Sequence, residues 1–213
     1  MRHSIIAALV ACTLTLPAAA TQIPFDGSWR EQGFLRLFSN DYAQQGSALD
    51  IVSDGTVSLL WRAVPEGLRG AQAASWAWTV QQSVPPTDLA QKGGDDRNIA
   101  LYFVYTTAEN AENVNPNRAA RLLRDKNTTA LVYVWGGDKT RGTVMQSPYH
   151  PGLRTLVRRG AGTGQHTETV DLASDYRAAF GTGPGVLIGV GVTADADDTD
   201  TFIRAQLSNL TLN

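Results

Sequence analysis

Trp76-Ala77-Trp78-Thr79-Val80 sets two indoles and a valine at every second position, with Ser75, Ala77, Thr79 and Gln81 between them. A period of two is the signature of a strand with one face buried. The pattern spreads in both directions. Upstream, Val57, Leu59 and Trp61 alternate with Ser58 and Arg62, and Leu49–Ser53 and Phe34–Phe38 read as earlier strands. Downstream, Leu101, Phe103 and Tyr105 alternate with Tyr102 and Val104, so this strand is covered on both faces. Thr129–Trp135, Leu153–Arg159, Gln165–Leu172, Val186–Ala194 and Phe202–Leu212 continue the series. Turn residues separate the strands: Ser53-Asp54-Gly55, Lys92-Gly93-Gly94-Asp95, Trp135-Gly136-Gly137-Asp138 and Gly160-Ala161-Gly162. Many strands, regular turns and few helices predict an all-β chain, a two-sheet β-sandwich of jelly-roll type.

Two short connecting helices interrupt the strands. Asn115–Arg124 opens with a capping Asn and a Pro at the first helical position. Ser174–Gly181 has a Ser cap and a terminal Gly. In the closing strand the alternation slips at Ser208-Asn209, which predicts a β-bulge. Composition does not shift along the chain, so residues 21–213 read as one domain.

The first 20 residues read as an export signal. Arg2 and His3 precede an apolar run, Ile5–Leu16, too short to span a bilayer; Pro17 ends it, and Ala18-Ala19-Ala20 offers a cleavage site. A lipoprotein reading of Leu9-Val10-Ala11-Cys12 competes, but apolar Thr13–Ala20 follows where a polar tether is expected. Cleavage leaves 193 of the 213 residues, removes the one cysteine and takes the formal charge from −2 to −3. The expected location is periplasmic or extracellular.

Composition narrows the function. No basic excess exists to hold a phosphate backbone, so nucleic acid is not an expected partner. No stretch is long and apolar enough for a transmembrane helix. Two histidines and no cysteine in the processed chain exclude a typical catalytic zinc site. There is no Gly-x-Ser-x-Gly, no phosphate loop, and Gly160-Ala161-Gly162-Thr163-Gly164 does not open a helix.

Three constellations could carry chemistry. Lys92-Gly93-Gly94-Asp95-Asp96-Arg97 is a charged turn before a core strand, either a ligand site or a solvated turn with Arg97 paired to an acid. In a strand Asp95 and Asp96 face opposite ways. Asp195-Ala196-Asp197-Asp198-Thr199-Asp200 sets acids where Asp195, Asp197 and Asp198 could present oxygens to a structural Ca²⁺, though the pattern is not an EF-hand and also suits a plain soluble turn. The third is aromatic. Trp76 and Trp78 read as core, whereas Trp135 and Tyr149, beside glycines and a turn, are expected at the edge of the sandwich, where a sugar could stack. Arg158 joins Lys92, Asp95, Asp96, Arg97, Trp135 and Tyr149 as an expected ligand contact. A glycosidase would need two carboxyls about 5–10 Å apart; Asp95, Asp96, Glu168 and Asp195 are the candidates, Asp96 and Glu168 foremost, with His166 on the Glu168 face.

Several stretches also carry a resemblance. Pro85–Arg97, Leu131–Gly136, Ser147-Pro148-Tyr149, Arg158-Arg159-Gly160, Asp175–Gly181 and Thr193–Thr199 are similar, in order, to the secreted bacterial family catalogued as domain of unknown function 3047. The closing strand departs from that pattern: Gln206-Leu207-Ser208-Asn209 stands in place of an aromatic-rich run. The layout is similar to jelly-roll carbohydrate-binding domains. The combined expectation is an exported, non-catalytic domain that binds a glycan or other polar envelope polymer. A polysaccharide hydrolase or lyase and a structural envelope protein are the alternatives.

Overall fold

A computed structural model describes residues 20–33 and 39–213. The signal segment and the strand expected at 34–38 lie outside the described residues. Strands β1 (Thr21–Gln22), β3 (Asp41–Gln45), β4 (Ala48–Asp54), β6 (Ala73–Gln82), β11 (Gly164–Asp171) and β13 (Phe202–Leu212) make one sheet. Its order is β11-β6-β13-β4-β3, with β1 also on β13. Strands β2 (Arg30–Gly33), β5 (Val57–Ala63), β7 (Arg97–Thr106), β8 (Thr128–Trp135), β9 (Val144–Gln146), β10 (Leu153–Arg159) and β12 (Val186–Asp195) make the other, ordered β2-β5-β12-β7-β8-β10-β9. The chain crosses between sheets at β4–β5, β5–β6 and β6–β7, and again at β10–β11, β11–β12 and β12–β13. That is the two-sheet jelly-roll sandwich the alternation predicts. Among the described strand pairs, β8–β10 is parallel and the rest are antiparallel.

The core between the sheets is aromatic. Trp76 and Trp78 from β6 meet Phe103 from β7 and Tyr133 and Trp135 from β8. Trp135 is therefore not an edge residue: it is 2% exposed, the last residue of β8, and packs edge-on against Trp78 at 5.7 Å. The glycines after it mark the turn, but strand parity has already aimed its side chain inward. A second apolar layer lies on the outer face of the seven-stranded sheet, where Trp61, Tyr102, Val104, Val132 and Val157 sit under Leu89, Ala119 and Leu122. This is why β7 is apolar on both faces.

Among the described residues three short α-helices connect the strands, one more than expected. α1 (Ala108–Ala111) has Thr107 as its cap, which accepts a bond from the Asn110 amide. α2 (Ala119–Leu122) is shorter than expected, because Asn115 accepts from the Asn117 amide and makes a separate turn. The Pro116 carbonyl in that turn accepts from the Trp61 indole at 2.8 Å, pinning the segment over the outer layer. α3 (Leu172–Phe180) starts earlier than expected: Asp171 is the cap, and Ser174 supplies the amide that bonds to it. Gly181 ends α3 in the left-handed region (φ 74°). The β13 slip is also real. Its pairing with β6 shifts between Ser208 and Thr211, and Asn209 takes φ 52°.

Gly189 on β12 lies against the Trp61 ring so closely that any β-carbon there would fall inside it. Gly189→Ala should cost about 1–3 kcal/mol by overpacking, read as a lower urea midpoint with unchanged slope. The double variant with Trp61→Phe should lose less than the sum of the singles; strict additivity would mean that the indole does not define this contact.

Candidate functional site

Two charged constellations that look separate in the sequence meet in space. The segment 92–97 precedes β7, and the segment 195–200 links β12 to β13. β7 and β12 are neighbours, and Arg97 pairs in register with Asp195. The Arg97 guanidinium binds Asp95 Oδ2 at 2.9 Å, Asp195 Oδ2 at 3.1 Å and the Tyr102 hydroxyl at 3.1 Å. Burial works against its charge, yet Tyr102, Asp195 and Asp95 hold it protonated above the ordinary arginine value. Asp96, in the segment just before β7, turns the other way. Its wholly buried carboxylate accepts from the backbone amides of Asp198 (3.2 Å) and Thr199 (2.8 Å) and from the Thr199 hydroxyl. It thereby holds the acidic loop closed.

Tyr149, in the loop between β9 and β10, completes this group. Its hydroxyl donates to Asp95 Oδ1 at 2.7 Å and accepts from the Gly93 amide at 3.2 Å. The Lys92 ammonium lies 5.7 Å from the ring centroid. The ring is 56% exposed although its hydroxyl is fixed. Burial of the hydroxyl and the adjacent Asp95 push the phenol up to about 12, so it remains a donor at neutral pH.

One carboxylate oxygen each from Asp96, Asp197 and Asp198 lie within 4.8 Å of one another. Of the expected metal residues Asp195, Asp197 and Asp198, this grouping contains Asp197 and Asp198. Asp195 instead pairs with Arg97, and Asp96 from the segment before β7 stands beside the other two. Burial raises the Asp195 carboxyl well above the usual carboxylate range, against the pull of Arg97 and with Asp197 and Asp95 adding to the rise. Burial, then Asp197, Asp96 and Asp95, raise Asp198.

Lys92, Asp95, Asp96, Arg97 and Tyr149 thus come together with Asp195, Asp197 and Asp198. Trp135 and Arg158 do not join them. Arg158 belongs to a second cluster around Glu168 of β11, whose side chain is fully buried. Arg158 binds Oε2 through Nε (3.0 Å) and an Nη (2.8 Å), Arg159 binds Oε1 at 3.0 Å, and Arg141 binds Oε2 at 3.0 Å. Two consecutive arginines reach one carboxylate because the β10–β8 register shifts between Val157 and Arg159. Burial alone would raise the Glu168 carboxyl, but Arg158 and Arg141 hold it below its ordinary value. His166 shares the Glu168 face, yet its ring lies tilted against Trp135, centroids 5.1 Å apart, while the Glu168 oxygens go to guanidinium groups. The sequence reading missed Arg141 and Arg159. The pair Arg158-Arg159 beside a β-branched strand was the one local signal; Arg141 sits in a loop with none.

Among the described residues, no helix is long and apolar enough to cross a membrane. Among curated proteins, none matches the chain. Among solved structures, the chain is similar to the xyloglucanase domain of NopAA from Sinorhizobium fredii, solved with cellobiose. The identity is 9%, with 87% of this chain and 92% of that chain covered and a TM-score of 0.47. It is also similar to a cellulase derived from Cel12A of Rhodothermus marinus (11% identity, 92% and 99% covered, TM-score 0.47). A third is the family 11 xylanase from Neocallimastix patriciarum (9% identity, 88% and 93% covered, TM-score 0.45). Sequence gives the firmer assignment. The stretches that build the two clusters fall within residues 27–211, which match as a whole, and the chain belongs to the family described as protein of unknown function (DUF3047).

Proposed function

We propose that the chain is an exported, non-catalytic domain that binds a glycan or other polar ligand of the cell envelope. The observation that carries this reading is Tyr149, an exposed ring whose hydroxyl is locked by Asp95 and Gly93 and flanked by Lys92. A pre-positioned aromatic loses little conformational entropy on binding. Its face suits the C–H face of a sugar, and the charged groups beside it suit hydroxyls or acidic substituents.

Two of the candidate hydrolase carboxylates, Asp96 and Glu168, favour the non-catalytic reading. Asp96 is buried under the loop it holds. Glu168 is saturated by three arginines and kept ionised, whereas a general acid must carry a proton near working pH. Their bonding partners do not overlap.

Retention on insoluble peptidoglycan and a panel of polysaccharides tests this. At least one polymer should retain the protein, and Tyr149→Ala should weaken retention about tenfold, the loss of one anchor contact, with an unchanged circular dichroism spectrum. No retention on any polymer sinks the proposal. Polymer turnover that disappears in folded Asp96→Asn or Glu168→Gln protein would move the reading to a hydrolase.

A further inference from the structure

We propose that Arg141, Arg158 and Arg159, gathered by the Glu168 carboxylate, form a binding site for an oxyanion, the carboxylate or phosphate group of an acidic ligand. The inference is independent of whether a glycan binds at Tyr149. The three side chains come from two segments: Arg141 from the turn before β9, Arg158 and Arg159 from the end of β10. All three converge on one acid. Arg141 and Arg158 each put a nitrogen 3.0 Å from Glu168 Oε2, so these two nitrogens stand at most about 6 Å apart. Arg159 reaches Oε1 of the same carboxylate at 3.0 Å. One acid thus holds three guanidinium groups within reach of a single small anion.

The cluster carries a surplus of charge and of donors. One bidentate arginine is enough to pair a carboxylate. Glu168 has three, and among the described residues no other acid bonds to any of them. Lys139, the next cation on that turn, is already paired with Asp88 and Asp138. Each guanidinium brings five N–H donors. Arg158 and Arg159 give Nε and Nη2 to Glu168; among the described residues Nη1 of each bonds nothing, and neither Nη1 is enclosed. Arg141 uses both its Nη atoms on Glu168 and the Arg158 carbonyl and keeps Nε. The acid is covered and the cations are not. The Glu168 side chain is fully buried, whereas those of Arg158, Arg159 and Arg141 are 20%, 30% and 47% exposed. An arriving anion therefore meets guanidinium groups and not the carboxylate.

A purely structural pairing would be complete with one arginine, and repulsion among three is a standing cost that a bound anion removes. The donors identify the ligand's class. A guanidinium is planar, weakly hydrated and always charged, and its fork matches the oxygens of carboxylate and phosphate groups. Because Glu168 holds the side chains in place beforehand, less rotamer freedom is lost when the anion binds. Space is open beside Arg141: a β-carbon on Gly142 would meet nothing within 4 Å.

The test titrates the isotope-labelled full chain with sodium phosphate, and separately with trigalacturonate, at fixed pH and ionic strength, and follows the arginine Nε–H and backbone amide resonances. The expected result is saturable shifts centred on Arg141, Arg158 and Arg159 at millimolar probe. Saturation by phosphate alone assigns a phosphate-bearing ligand, by trigalacturonate alone a carboxylate-bearing one, and by both a site that reads the shared oxyanion. Arg141 is the most exposed of the three, so Arg141→Ala keeps the fold; it should weaken binding about tenfold, the worth of one charged hydrogen-bonding partner. Arg141→Lys should recover part of that loss, since it restores the charge without the fork. Arg204→Ala removes an equal charge from an exposed position on β13, in the other sheet, and should leave affinity unchanged. Three results would each overturn the site: no saturation by either probe, shifts spread evenly over the surface, or equal weakening by Arg141→Ala and Arg204→Ala. The arginines would then be a structural clamp on Glu168 and nothing more.

Discussion

Glu168→Ala lowers the unfolding free energy by about 3 kcal/mol, the lower end of the 3–5 kcal/mol that follows loss of one member of a buried ion cluster. The lower end applies because the carboxylate is fully buried but the Arg141 side chain is 47% exposed and partly solvated. For a chain of this size the Tm should fall by about 6–12 °C. The mechanism is specific. Glu168 is on β11, the edge of one sheet, and Arg158 and Arg159 are on β10, near the edge of the other, so their bonds close one side of the sandwich. Without Glu168, three guanidinium groups lie close together with no carboxylate between them, and among the described residues Arg141 keeps only the Arg158 carbonyl as an acceptor. Added salt should therefore recover part of the loss by screening that repulsion. Arg141→Ala should cost under about 1 kcal/mol, as exposed pairs do. A Glu168→Ala loss no larger than that of Arg141→Ala would mean the cluster behaves as solvated surface. The acid limb gives a second check. An acid held below its ordinary value of 4.5 in the folded state stabilises that state above this pH, and the contribution is lost as pH falls through the lowered value. Glu168→Gln should flatten that limb of the stability curve.

The sandwich was legible because its signal is local. Each strand carries its own parity, and Trp76, Trp78, Leu101, Phe103 and Tyr133 face the core as period two requires. The β13 slip was legible for the same reason, since a bulge breaks the alternation where it occurs. Trp135 was misplaced because neighbouring glycines were weighed above the parity of Tyr133 two residues earlier. The helix starts were missed by a similar competition: Asp171 and Ser174 are both good caps, and the end of β11 decides between them. The charged sites were half legible. The local turns were visible, but that 92–97 and 195–200 form one cluster depends on the β7–β12 pairing, a contact across about a hundred residues. The arginine cluster needs the parallel β8–β10 pairing and its register shift as well. Neither has a counterpart in local periodicity.

Trp76→Ala should cost about 4 kcal/mol, within the 3–5 kcal/mol usual for a buried Trp, and should be the most damaging core truncation on β6. Trp76 contacts Trp78 at 5.4 Å, Tyr133 at 5.4 Å and Phe103 at 6.1 Å, so its removal opens a cavity and breaks ring pairs from both sheets. Trp76→Phe separates packing from polarity. The Trp76 indole nitrogen is buried without a hydrogen-bond partner among the described residues, whereas that of Trp61 donates to the Pro116 carbonyl at 2.8 Å. Phenylalanine at 76 loses part of the ring but also removes an unsatisfied donor, whose burial costs about 1–3 kcal/mol. Phenylalanine at 61 loses ring area and also a made bond, and leaves the Pro116 carbonyl without that donor. Trp76→Phe should therefore be the milder change by about 1 kcal/mol or more, the net worth of one hydrogen bond, despite the central position of Trp76. Urea unfolding of the two variants at equal slope measures the difference. The reverse order would show that ring volume, and not the pairing of the indole nitrogen, governs these positions.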